Sequence, residues 1–289
     1  MTKIAKQNTV FSTNKTLNIK GRLVDLTVPK IMGVLNVTPD SFFDGGRYLQ
    51  ETEILKQVEK MLSEGAWFID VGGYSSRPHA DDIPIHEELR RVMFTLRIIQ
   101  KEFPDAWVTI DTFRSEVARV ALEEGAVMIN DISAGQLDSA MSDVVLKYNV
   151  PYVIMHMRGN PRTMSQLVDY DNLVKDIIDY FHQIIFSLNQ KGIHDIIIDP
   201  GFGFAKTAGQ SFQLLNHLHM LKTLGKPILA GLSRKSMIWR TLNVSPEEAL
   251  NGTTALNAIA LQNGASILRV HDVKAASETV QLMEKLCSK

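Results

Sequence analysis

Eight short apolar runs, each closing on a polar or glycine-rich turn and followed by a helix-like stretch, recur through the chain and leave few folds open to it. Strands are expected at 31–36 (IMGVLN), 67–71 (WFIDV), 107–111 (WVTID), 127–131 (VMIND), 151–155 (PYVIM), 195–199 (DIIID), 227–231 (PILAG) and 266–270 (SILRV). Their spacing averages about 33 residues, the size of one βα unit. Runs apolar along their whole length are those of parallel strands covered on their outer face by helices.

The intervening segments carry that helical signal. In ILKQVEKMLSEG, residues Ile54, Leu55, Val58, Met61 and Leu62 share one face, and Gly65 stops the helix. Further helices are expected over 86–102, 115–124, 138–148, 170–190, 211–223, 246–263 and 272–287. Eight such units closing on themselves make an α/β fold of the (β/α)8 TIM-barrel kind. An open doubly wound sheet is the competitor, but no dinucleotide fingerprint follows the first strand. Residues 31–289 are thus assigned to one barrel domain. Residues 1–30 stand outside the repeat as an N-terminal extension, where TLNIKGRLVDL alternates around Lys20-Gly21 as a short β-hairpin plugging the barrel floor.

Composition narrows the function classes. The 289 residues are 45% hydrophobic and 22% charged, enough apolar content for a full core. A formal net charge of −1 offers no overall basic character for nucleic acid. The single cysteine, Cys287, can form no internal disulfide, and no uncharged run reaches the roughly 20 residues of a membrane span. A cytoplasmic protein that engages neither membrane nor nucleic acid is the expectation.

In a barrel of this kind the active site lies at the C-terminal ends of the strands. Those ends carry Asn36, Asp70, Asp111, Asn130-Asp131, His156, Asp199, Ser233-Arg234-Lys235 and Arg269-Val270-His271, with Arg77 and Lys206 in following loops. Carboxylates and amides fill the first half of this ring and cations the last two units. That division suits a ligand with a neutral, donor-rich end and an anionic end. Some members have plainer readings. Asp70 fits a helix cap or a structural bond within the Gly72-Gly73 turn, Asp131 a brace for its loop, and His156, between Met155 and Met157, a satisfied core histidine. No histidine pair or cysteine pair has zinc-like spacing. GFGFAKT (201–207) lacks the glycine before lysine that a nucleotide phosphate loop requires.

Eight segments, GVLNVTPDSFFDGG, DVGGYSSRP, IDTFRSEVA, INDIS, MHMRGNPRTM, DPGFGFAKT, GLSRKS and RVHDV, resemble in order the signature blocks of the dihydropteroate synthase family. They run from Gly33 to Val273. The resemblance implies an enzyme of folate biosynthesis that joins 6-hydroxymethyl-7,8-dihydropterin pyrophosphate to p-aminobenzoate, releasing pyrophosphate by an SN1-like route. It implies that Asp111, Asn130, Met155, Asp199 and Lys235 line the pterin pocket, with Asp199 accepting two N–H bonds. Asn36, Ser76, Arg77, Arg269 and His271 would hold pyrophosphate and its Mg²⁺, with Asn36 as the metal's ligand. Phe42, Ser76, Pro78, Phe204, Lys235 and Ser236 would form the p-aminobenzoate pocket, which sulfonamides also occupy. Asp111, Asp199, Lys235 and Arg269 are the implied catalytic set, and a homodimer is the implied assembly.

Departures from the family pattern bear on the second loop. It usually reads GGESTRPG, whereas here Tyr74 replaces the glutamate, Ser76 the threonine and His79 the last glycine; Ala205 stands where GFGFGK has glycine. Two other readings share the pterin contacts: a methyltetrahydrofolate-binding methyltransferase domain, and a catalytically silent pterin-binding paralogue. The first has no use for the cations at 77, 269 and 271 or for the NVTPDSF loop, and the presence of every expected site residue argues against the second.

Overall fold

The computed structural model describes residues 15–37, 46–75 and 82–287. Strands β1 (Thr16–Ile19) and β2 (Arg22–Asp25) pair antiparallel, and eight parallel strands follow: β3 (Lys30–Asn36), β4 (Phe68–Gly72), β5 (Trp107–Asp111), β6 (Met128–Asp131), β7 (Tyr152–Met155), β8 (Ile196–Asp199), β9 (Leu229–Ala230) and β10 (Ile267–Val270). Neighbours pair in chain order, and β10 lies between β3 and β9. The seam between β8 and β9 is closed by one bridge, Ile198 to Ile228, so the barrel is nearly complete. β9 has two residues where five are expected, with Pro227 O and Ile228 O still accepting from the flanking strands.

Nine helices are described around it: α1 (Gly46–Ser63), α2 (Ile85–Glu102), α3 (Ser115–Glu123), α4 (Met141–Tyr148), α5 (Leu173–Gln190), α6 (Ala208–Asn216), α7 (Ser236–Leu242), α8 (Leu250–Gln262) and α9 (Val273–Cys287). The segment expected as one helix over 211–223 is instead α6 followed by a 3₁₀ turn, Leu218–Leu224. Its start moves forward because Thr207 and Gln210 form a capping box, the hydroxyl accepting from Gln210 N at 3.2 Å and the amide oxygen from Thr207 N at 2.8 Å. Asn172 likewise caps α5 and sets its first residue at Leu173.

The strands alternate their side chains between two cores. Ile69, Val71, Ile110, Ile129, Tyr152, Ile154, Ile198 and Leu268 face the helices. Met32, Phe68, Met128, Val153, Ile197, Leu229 and Ile267 point into the barrel and meet Leu17, Ile19, Val24 and Leu26 of the hairpin. The hairpin therefore closes the floor, as its alternation indicated. Burying its four apolar side chains contributes about 6–12 kcal/mol before ordering entropy. Its turn takes Lys20 and Gly21 through φ 51° and 79°, and Asn18 N donates to Asp195 just below β8 at 3.1 Å. With the floor sealed, the other end is the open one.

Candidate active site

Strand register assembles the open end. Asn36, Gly72, Asp111 and Asn130 are successive partners across β3, β4, β5 and β6, so they form one row at the mouth. Gly72 keeps that row open: a Cβ there would stand 3.4 Å from Asn36 Oδ1 and 3.5 Å from Asp111 Cβ. One layer down, Asp70 lies opposite Thr109. Asp70 has no solvent exposure and takes three donors, Thr109 Oγ1 at 2.5 Å on Oδ1, with Asn130 Nδ2 at 2.9 Å and Arg269 Nε at 2.6 Å on Oδ2. Arg269 Nη2 reaches up to Asp111 Oδ2 at 2.6 Å. One guanidinium thus spans two carboxylates on two levels. Burial opposes its charge, but Asp70 and Asp111 outweigh burial and hold the Arg269 pKa above the ordinary arginine value. Burial pushes the Asp111 carboxyl up to about 7, against the pull of Arg269 and with the added repulsion of Asp70.

Across the mouth, Asp199 accepts from Gly201 N at 2.8 Å through Oδ1. Its Oδ2 faces Gly231, where a Cβ would stand 3.8 Å away. Burial raises the Asp199 pKa, opposed by Lys235 and the Gly201 N–H. The Lys235 ammonium donates to Phe202 O and lies 4.6 Å from the Phe204 ring centroid. Burial lowers its pKa to about 8, despite Asp199. Lys235 is positioned by its neighbour: Arg234, held at φ 55°, makes two bonds to Asp272, at 3.0 and 2.7 Å. His271 N and Nδ1 both lie 3.1 Å from Ser233 Oγ, placing the histidine beside the same loop. Ser236 is exposed as the first residue of α7.

An apolar shelf completes the mouth over β6 to β8. Met155 packs there with Ile132, Met157, Met164 and Ala205, and Phe113 and Phe204 lean on it. Phe113 and Ile132 are additions that sequence reasoning missed, since an apolar residue after a strand carries no signal apart from core. Ala205 sits at φ 48°, the left-handed region where the usual glycine is free of strain. Tyr74 meets Phe113 edge-on at 5.1 Å with the Arg114 guanidinium 5.2 Å from its ring, so an aromatic contact stands at the start of the second loop where the family pattern has a carboxylate.

Two residues of the ring point away from it. Asp131 faces the helices, accepting from Ser133 N and Oγ, Gly135 N and Tyr152 Oη at 2.6–2.7 Å; it braces its loop as expected. His156 is 2% exposed, 2.8 Å from Lys206 Nζ, and burial with the neighbouring lysine drives its pKa to about 2, so it is a neutral core histidine. The reading of Asp70 as a cap or turn bond is corrected: the pleat turns it inward, to the centre of the network. Phe42, Ser76, Arg77, Pro78 and His79 lie outside the described residues. Among the described residues no three acidic, histidine or cysteine groups cluster to hold a metal.

Chemically, the mouth offers carboxylates to a donor-rich ring, a lysine beside an aromatic face, and a guanidinium and histidine on the opposite rim. A family described as "Pterin binding enzyme" matches residues 32–271. The dihydropteroate synthase of Haemophilus influenzae is 42% identical over 270 residues, 93% of this chain and 98% of that protein. Among solved structures, the Yersinia pestis dihydropteroate synthase with a sulfonamide drug complex superposes with a TM-score of 0.89 at 39% identity, covering 95% of this chain and 100% of that one. The Xanthomonas albilineans dihydropteroate synthase with 4-aminobenzoic acid gives 0.88 at 37%, covering 95% and 99%.

Proposed function

The chain belongs to the pterin-binding enzyme family, among its dihydropteroate synthases, and from that premise we propose how the ring at the barrel mouth divides the work. The enzyme is a transferase of folate synthesis that joins 6-hydroxymethyl-7,8-dihydropterin pyrophosphate to p-aminobenzoate. Asp199 Oδ2, Asp111 and Asn130 receive the pterin's edges. A buried carboxylate left without donors is costly, so rings lacking the amino group are rejected. Met155 lies under the ring and Lys235 over it, the ammonium in reach of ring acceptors.

The reaction breaks the C–O bond to pyrophosphate first, the electron pair leaving with the phosphate oxygen. The positive charge then spreads over the dihydropterin, where the ionised Asp111 and Asp199 stabilise it. The arylamine lone pair attacks the methylene carbon and its nitrogen sheds a proton. No strong base is needed, because an arylamine is a neutral nucleophile. Arg269 and His271 receive the departing pyrophosphate. Asn36 Oδ1, a hard oxygen in the row at the mouth, would be the protein's ligand for a magnesium ion, which would supply charge neutralisation to the leaving group. Phe204 and Ser236 line the benzoate side, where sulfonamides compete. Phe42, Ser76, Arg77 and Pro78 join these subsites on the strength of the family pattern.

The observation that carries this reading is the Asp111–Arg269–Asp70–Asn130 network facing Asp199 and Lys235 across one mouth. Leu282 and Leu286 of α9, 71% and 76% exposed, with Leu250 and Ile259 of α8, support a homodimer through the last two helices. No helix among the described residues is long and apolar enough to cross a membrane. The test is pyrophosphate release by the purified chain with Mg²⁺. Formation of 7,8-dihydropteroate that needs both substrates and matches the pyrophosphate released is expected; no dihydropteroate with both substrates present would refute the reading.

A further inference from the structure

Asp70 cannot touch a ligand: it is wholly buried and its oxygens are taken up by Thr109, Asn130 and Arg269. Yet two of those partners belong to different subsites. We propose that Asp70 is a positioning residue that couples the pterin subsite to the pyrophosphate subsite, by holding Asn130 and Arg269 on the same carboxylate oxygen. The inference rests on the roles given above to Asn130, Asp111 and Arg269.

Its chemistry follows from the inventory of donors. A carboxylate only accepts, so the Asn130 amide must turn Nδ2 towards Asp70 and keep Oδ1 for the mouth. Asp70 therefore fixes which edge of the amide the pterin meets. On the other side, Arg269 is pinned through Nε while Nη2 spends itself on Asp111 Oδ2. A pterin whose N–H groups engage Asp111 competes for that oxygen and releases Nη2. The guanidinium stays anchored at Nε, and Nη1 and Nη2 together then face outward as a fork suited to two phosphate oxygens. Occupying the first subsite thus prepares the second, and by linkage pyrophosphate must tighten the pterin by the same factor. Asp70→Asn breaks the device. Its one oxygen can still face Asn130 and Arg269 only with Nδ2 turned to the Thr109 hydroxyl, and a neutral amide oxygen there holds the guanidinium without charge assistance, so Arg269 is released from its anchor.

The experiment is a calorimetric titration of 6-hydroxymethylpterin, which has no tail, with and without Mg²⁺-pyrophosphate. In the wild type, pyrophosphate should tighten the pterin by about fivefold or more, the lower end of ordinary couplings. In Asp70→Asn the ratio should fall below about twofold. A purely structural role would lower the melting temperature and leave the ratio alone. Should Asp70→Asn fail to fold, Thr109→Val decides the matter, because it removes only the hydroxyl that fixes the carboxylate's rotation; there the ratio must fall at least about twofold. A wild-type ratio of one, or an undiminished ratio in the variants, overturns the proposal. Turnover of both substrates by the same wild-type preparation separates the two levels. If turnover is absent, the assigned reaction is at fault; if it is present and the ratio does not move, only the role of Asp70 falls.

Discussion

Replacing Asp199 by asparagine should weaken pterin binding while leaving the fold intact or firmer, and the two effects have separate origins. Oδ1 is committed to Gly201 N at 2.8 Å, a bond that an amide oxygen can keep. The substitution therefore acts at Oδ2, the atom beside Gly231, which becomes a donor facing the donors of the pterin. Losing a hydrogen bond to a charged group costs roughly 1.5–3 kcal/mol, and stranding a buried donor about 1–3 kcal/mol more. A total of about 2.5–6 kcal/mol is roughly sixty- to twenty-thousand-fold in affinity. Stability moves the other way. Burial raises the Asp199 pKa, so the folded state holds its proton more tightly than the unfolded chain does. The resulting cost is absent below the unfolded pKa and full above the folded one. Asp199→Asn should thus melt no lower than wild type at pH of about 8, with any gain vanishing in acid. Calorimetric titration with 6-hydroxymethylpterin and thermal unfolding at two pH values measure both. An unchanged dissociation constant would remove Asp199 from the pocket, and a lower melting temperature at the alkaline pH would refute the dominance of burial.

The pH dependence of kcat/KM for the pterin substrate should be bell-shaped, falling below about pH 7 as Asp111 takes a proton and above about 8 as Lys235 loses one. Asp111→Asn should flatten the acid limb and Lys235→Ala the alkaline one; a profile unaltered in either variant would assign that limb elsewhere. Lys235→Arg should lose turnover by roughly tenfold or more, as Lys235→Ala does, because a planar guanidinium cannot occupy the compact place between Asp199 and the Phe204 ring. Near-normal rates in the arginine variant would reduce Lys235 to a generic positive charge. Gly201→Ala should destabilise by about 2–5 kcal/mol in urea denaturation, since φ is +69° and its Cβ would fall 2.2 Å from His156 O. A loss under about 1 kcal/mol would show that the turn can relax, and with it the placement of Asp199.

The barrel was legible because parallel strands buried on both faces leave continuous apolar runs, and eight of them at one spacing admit few closures. What escaped was governed by local hydrogen bonding. Thr207 and Gln210 cap α6 three residues ahead of where its apolar pattern begins, and no periodicity reports a capping box. The short α7 begins at Ser236, and its seven residues are too few for a periodic signal of their own. The hairpin was readable from Lys20-Gly21, where a positive-φ pair is the turn that a two-residue connection demands.

The site was legible in its letters and not in its depth. Strand ends flagged Asp70 and Asp131 alike, yet one lies at the centre of the network and the other outside the barrel. The difference is parity. Asp70 follows Phe68 by two residues, and Phe68 lies in the floor cluster; Asp131 follows Ile129 by two, and Ile129 lies among the helix-facing residues. In a run apolar at every position, nothing in the sequence marks which parity is inward. Only the partners break the tie. Asp70 stands opposite Thr109, a hydroxyl in an otherwise apolar layer, and Asp111 opposite Asn130. Sliding β4 by one residue would turn Ile69 into the barrel and send the carboxylate among the helices, where Asp131 already needs four donors to be tolerated. Arg269 would then lose its anchor and Asn130 its fixed amide edge. The chemistry of this mouth is therefore set by strand register before it is set by residue type, and a buried carboxylate that no ligand reaches is what registers the two halves of the site on each other.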